Sequence, residues 1–75
     1  MKVFSEKFNH KDYVLDLELF YMMTLSDEVK YLYHTFFVVK DNEVLKEYPE
    51  EIINVVQNYV NDIFENKLYK LINND

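Results

Sequence analysis

Between Asp12 and Phe20 the chain reads DYVLDLELF, and its polarity alternates with a period of two. Tyr13, Leu15, Leu17, Leu19, Tyr21 and Met23 fall on one side, the apolar row of a half-buried strand. Asp12, Asp16 and Glu18 take three of the even places, with no lysine among them. This predicts a strand over 13–24. A second alternating run over 29–40 puts Val29, Tyr31, Tyr33, Thr35, Phe37 and Val39 together, and both runs are rich in β-branched and aromatic residues. Residues 2–8 read as a short first strand, 9–11 as a turn, and 25–28 as the next turn. Asp41-Asn42 tolerates positive φ and suits a two-residue hairpin loop. A short return strand is expected over 43–48.

After Pro49 the period changes. Ile52, Ile53, Val56, Tyr59, Val60, Ile63, Phe64, Leu68 and Leu71 recur at helical spacing to about residue 72. Proline suits the first helical position, and Glu50 and Glu51 suit the positive end of the helix dipole. The expected fold is α+β: an antiparallel β-meander of three to four strands, then one long C-terminal helix packed on one face. Residues 1–75 form one such domain. The opposite face would carry Val14, Phe20, Met22, Leu32, Phe36 and Val38 beside Asp16, Glu18, Lys30 and His34. An apolar patch of that extent is unusual on a soluble monomer. A homodimer is therefore expected, with Phe20, Met22, Leu32, Phe36 and Val38 at its interface.

Composition sharpens this picture. At 75 residues, 49% apolar and 17% aromatic, the chain can fill a core, but a single core of this size leaves only a few kcal/mol of net stability. It has no cysteine, hence neither a disulfide nor a thiolate metal site, and no glycine. No apolar run reaches the length of a signal peptide or a membrane span. A cytoplasmic protein with no membrane contact is the expectation.

Catalytic chemistry finds little support. Phosphate-cradling loops need glycine. His10 and His34 are far apart and have no Cys, Asp or Glu three or four residues after them. Ser5 and Ser26 are the only serines. Asp16 and Glu18 would stand about 6.6 Å apart on one strand face, with little room in so small a fold for a pocket that raises a carboxyl pKa. Asp27-Glu28 and Asp41-Asn42-Glu43 lack the glycine-containing loop of a calcium site and read as turns. The expectation is no enzyme, no cofactor and no metal.

Charge is the remaining signal. Fourteen acids face eight basic residues, all lysine, for a net charge of −6. Without arginine or clustered lysine, direct nucleic-acid binding is disfavoured; an acidic domain better suits a basic partner. On the expected helix, the stripe opposite the core holds Glu51, Asn54, Asn58, Asn61, Asp62 and Glu65, with no lysine before Lys67. Ordinary solvated helices tend to mix signs at four-residue spacing. Asp12, Asp16, Glu18, Glu51, Asp62 and Glu65 are accordingly the candidate partner-binding residues. Such rows on a stiff element could imitate the charge ladder of DNA, and a dimer could imitate both strands.

A short, acidic, Asn/Lys/Tyr/Ile-rich chain without glycine or cysteine resembles the small host-takeover proteins of phages infecting low-GC Gram-positive bacteria, in particular sliding-clamp inhibitors of staphylococcal phages. The resemblance rests on length, charge and general character across the whole chain, and no signature motif anchors it. It implies a homodimer in the host bacterial cytoplasm that fills the DNA channel of the DNA polymerase III β sliding clamp and blocks its loading. The glutamine–leucine–phenylalanine type of clamp-binding peptide is not evident: the only glutamine lies in Gln57-Asn58-Tyr59-Val60. That favours channel occupancy over the peptide pocket. Two other classes fit the residues: an apolar-interface module such as an antitoxin or assembly subunit, and a DNA mimic aimed at a restriction or CRISPR nuclease.

Overall fold

Tight turns at polar residues set the sheet. The structure, a computed structural model, describes residues 1–74. Strands β1 (Lys2–His10), β2 (Tyr13–Met23), β3 (Val29–Lys40) and β4 (Glu43–Val44) form one antiparallel sheet in chain order. With no glycine to supply positive φ, the turns use Lys11 (53°), Asp27 (61°), Asp41 (52°) and Asn42 (65°). Two successive positive values at Asp41 and Asn42 give the hairpin twist that matches the strands, as expected. The first turn falls at Lys11-Asp12 rather than 9–11, because His10 pairs with Tyr13 and extends β1 by two residues.

Helix α1 spans Glu50–Asn66 and a single-turn helix α2 spans Tyr69–Ile72. Leu15, Leu17, Leu19 and Tyr21 of β2 share one buried core with Val38, with Ile52, Val56, Val60 and Ile63 of α1, and with Leu71 of α2. Of the odd positions of β2, Leu15, Leu17, Leu19 and Tyr21 are 0% exposed, and Tyr13 and Met23 at the strand ends are half-buried. Fully burying an aliphatic side chain of this kind contributes about 1.5–3 kcal/mol.

Three expectations are corrected here. The return strand is only Glu43–Val44, although the chain beyond it still covers the sheet edge: Leu45 N–H donates to Val38 O (2.9 Å) and Tyr48 Oη to Phe36 O (3.4 Å). Pro49 is the N-cap rather than the first helical residue, with extended ψ of 149°. The helix does not run unbroken to 72. At about 100° per residue, a straight helix would put Leu68 about 140° and Leu71 about 80° around from Ile63. The break at Lys67 (φ −131°) re-aims Leu71 into the core. Tyr21 Oη then donates to Leu71 O (2.8 Å), Asn74 Nδ2 bonds Tyr21 Oη (3.1 Å) and Val3 O (2.9 Å), and Lys2 Nζ bonds Asn74 O (3.0 Å).

The largest correction concerns β3. Its register against β2 shifts between Phe20 and Tyr21, so Phe20 faces Tyr33 while Tyr21 faces Tyr31, and Leu32 is the extra residue of a bulge. Val29 and Tyr31 remain on the core side, but Tyr33, Thr35, Phe37 and Val39 stand on the other face. His34, Phe36 and Val38 replace them opposite Leu19, Leu17 and Leu15. Val38 is fully buried and Phe36 is packed against the core, so neither belongs to an outward dimer surface. Of the other expected interface residues, Met22 (47%) and Leu32 (39%) are exposed, and Phe20 is half-buried against Tyr33.

Candidate functional site

The face of the sheet turned away from the core can be read row by row from the register. Val3, Phe20 and Tyr33 lie side by side; then Ser5, Glu18 and Thr35; then Lys7, Asp16 and Phe37; then Asn9, Val14 and Val39. Neighbouring strands are about 4.8 Å apart, so each row is one contact-sized strip. Apolar rows thus bracket two rows that carry the carboxylates of Asp16 and Glu18. Phe20 and Tyr33 stack with ring centroids 4.4 Å apart. Val14 (39%), Tyr33 (46%) and Phe37 (43%) remain substantially exposed. Between the rims, Ser5, Glu6, Lys7, Asp16, Glu18 and Phe37 line a shallow depression of about 450 Å³.

Asp16 and Glu18 are half-buried on the central strand, and among the described residues neither makes an ion pair. Lys7 is the cross-strand neighbour of Asp16; Glu18 sits between the hydroxyl residues Ser5 and Thr35. The pair is therefore held by two flanking strands, with its charge facing outward.

The other candidate acids are placed differently. Asp12 lies in the first turn, 3.6 Å from Lys40 Nζ, and its charge raises the Lys40 pKa. Glu51 Oε1 accepts from Lys11 Nζ at 2.6 Å and lies 3.1 Å from His10 Nε2; these two bonds, that of Lys11 first, hold its carboxyl below the usual carboxylate range. Asp62 accepts from Asn66 Nδ2 (2.7 Å) and pairs with Lys67 (3.3 Å), which lower its pKa in that order. Glu65 is exposed near the end of α1. The six acids thus fall into separate groups, and three of them already meet lysines of the same chain. The sheet brings together only Asp16 and Glu18.

His34, expected on the open face, lies on the core side and is half-buried, with Nδ1 2.8 Å from Tyr31 Oη; burial lowers its pKa. Among the described residues, no three His, Cys, Asp or Glu side chains come together to hold a metal ion, and no helix is long and apolar enough to cross a membrane.

Sequence reasoning missed Val3, Lys7, Tyr33 and Phe37 as members of this surface. Val3 and Lys7 were within reach, since the two-residue turn at Lys11-Asp12 fixes β1 against β2. Tyr33 and Phe37 were not, because residues 31–39 carry no charge to mark which parity faces water. No family model matches this chain, and the comparisons with curated proteins and solved structures found no match.

Proposed function

We propose that this protein is a non-catalytic binding module that engages a basic macromolecular surface through the uncovered face of its sheet. The helix, packed on one face only, leaves the other free to do so. One observation carries the reading: on the central strand, inside an apolar and aromatic frame, Asp16 and Glu18 make no ion pair among the described residues. Cations from a partner would meet the two carboxylates while Val14, Phe20, Tyr33 and Phe37 supply apolar contact. Such an arrangement gives steering and discrimination through charge and affinity through buried area.

Within this class, the leading target is the DNA channel of a bacterial β sliding clamp, occupied by a homodimer of this chain in place of DNA during phage takeover of host replication. A DNA-binding channel is lined with cations at the spacing of phosphates, and a net charge of −6 on a small domain suits it. The carboxylates assigned to contact are Asp16 and Glu18, with Glu65 an exposed outlying charge. Asp12, Glu51 and Asp62 would first have to exchange their own lysines.

The test is binding to purified clamp over a salt series. Asp16→Asn with Glu18→Gln should weaken binding at least tenfold and flatten the salt dependence, whereas Glu51→Gln with Asp62→Asn should change it little. Unchanged affinity in the first variant would end this reading. An apolar-interface module is the second reading, favoured by the exposure of Val14, Tyr33 and Phe37. Its signature is affinity indifferent to salt and lost on Phe37→Ala.

A further inference from the structure

We infer that the free edge of β1 is the self-association site of this protein, pairing antiparallel with β1 of a second copy about a two-fold axis at Glu6. This stands apart from the partner-binding reading, since it uses the edge of the sheet rather than its open face. The two sheet edges are unequal. On the β3 side, β4, Leu45 N–H and Tyr48 Oη occupy the carbonyls and ladder positions from Phe36 to Lys40, and the bulge at Leu32 interrupts the rest. Bulges and covering segments are the usual means of closing an edge to further pairing. On the other side, β1 is regular over all nine residues, without proline or bulge, and among the described residues pairs with no strand but β2.

The direction of its backbone groups follows from the turn. In a two-residue hairpin the closing pair, here His10 and Tyr13, exchanges hydrogen bonds, so the even residues of β1 bond to β2. Val3, Ser5, Lys7 and Asn9 then present N–H and C=O outward. The bond from Asn74 Nδ2 to Val3 O shows this orientation directly and caps one end of the row. No other bond to an outward group of β1 is found among the described residues.

The sequence of β1 is complementary to itself in the register centred on Glu6. Ser5 faces the second copy's Lys7, and Val3 faces its Asn9, so on the open face no like charges stand opposite. On the core side Phe4 faces the second copy's Phe8; both rings are half-buried and gain cover where the edge now leaves them open. The two Glu6 carboxylates meet at the axis, but each already bonds Lys70 Nζ (3.2 Å) and Tyr59 Oη of its own chain. Cross-strand pairs of this kind are the unit that stabilises a sheet. The joined sheet would continue across the axis and bring two Asp16–Glu18 pairs onto one face.

Sedimentation from about 1 to 500 µM tests the inference, because self-association follows mass action. The wild type should form dimers, and Ser5→Pro should remain monomeric with an unchanged far-ultraviolet spectrum, since only an outward N–H is lost. A wild type that stays monomeric throughout, or a folded Ser5→Pro that dimerises as the wild type does, overturns it. Should Ser5→Pro fail to fold, the absence of native cysteine allows register mapping. Oxidising a mixture of Ser5→Cys and Lys7→Cys should give the mixed cross-link several-fold above the Ser5→Cys homodimer, and equal yields would refute the register. Amide exchange at Ser5 and Lys7 in the wild type should slow at least tenfold between the dilute and concentrated samples. Solvent-rate exchange at both concentrations would equally overturn the pairing.

Discussion

Tyr21→Phe isolates one interaction that joins the two halves of the fold. The Tyr21 ring is 0% exposed at the register shift of β2, and its hydroxyl donates to the Leu71 carbonyl at 2.8 Å. Phenylalanine keeps the ring packing and removes only the donor. A net hydrogen bond contributes about 0.5–1.5 kcal/mol, and an orphaned buried carbonyl costs about 1–3 kcal/mol. The carbonyl would not be wholly orphaned here, since Asn74 N–H also approaches it at 3.4 Å. Asn74 Nδ2 would lose its bond to Tyr21 but keep that to Val3 O. The expected loss is therefore about 1–2 kcal/mol.

For a domain of this size the urea m-value is about 1 kcal/mol/M, so the midpoint should fall by about 1–2 M with unchanged slope. The melting temperature should fall by about 5–12 °C. Melts must be compared at one protein concentration, because self-association would add to apparent stability. Amide exchange should quicken first in α2. Asn74→Ala alone should cost less, and the double variant less than the sum, since both act through the same hydroxyl. A Tyr21→Phe midpoint within about 0.3 M of wild type, at equal slope, would refute this anchoring of the C-terminus.

Acidification gives a second prediction. Burial holds the His34 imidazole below its ordinary pKa, so the unfolded chain binds the proton more readily than the folded one. Stability contributed by the neutral ring is complete above about pH 6.5 and declines as pH falls towards the folded value. Replacing His34 with Gln should flatten the fall in melting temperature between pH 7 and pH 5, a window above that of the carboxylates; an unaltered slope would count against it. Asn42, at φ 65°, supplies a third: Asn42→Val should cost about 1–2 kcal/mol in a urea melt and Asn42→Gly should not destabilise. Equal midpoints for the two variants would contradict the hairpin geometry.

How much of this was legible depended on whether a segment carried a polar marker. In β2, Asp16 and Glu18 between leucines settle which side is buried, and the helix stripe of Ile52, Val56, Val60 and Ile63 has amides and acids between its members. In β3, from Tyr31 to Val39, both parities are apolar or neutral, so a one-residue slip exchanges two nearly equivalent faces. The bulge at Leu32 makes that slip, and no local residue signals it. The break at Lys67 escaped for a related reason: neither proline nor glycine marks it, and only the position of the Leu71 pocket demands it.

The acids show the same limit in a different form. Charge segregation along the chain did not become segregation in space, because folding brings Lys11 to Glu51 from forty residues away and Lys40 to Asp12 across the sheet. What survives is a small feature with a stronger consequence than a long row. Asp16 and Glu18 are already half-buried, so any partner that covers the open face completes their desolvation. An apolar partner would bury Glu18 without a cation and leave Asp16 only its cross-strand neighbour Lys7, at a cost of several kcal/mol. That penalty exceeds the roughly 1.5–3 kcal/mol gained by covering a side chain such as Phe37. A partner presenting lysine or arginine at that position removes the penalty and keeps the apolar gain. On the proposed reading, the two carboxylates would act less as a source of affinity than as a filter against surfaces without cations in register with them.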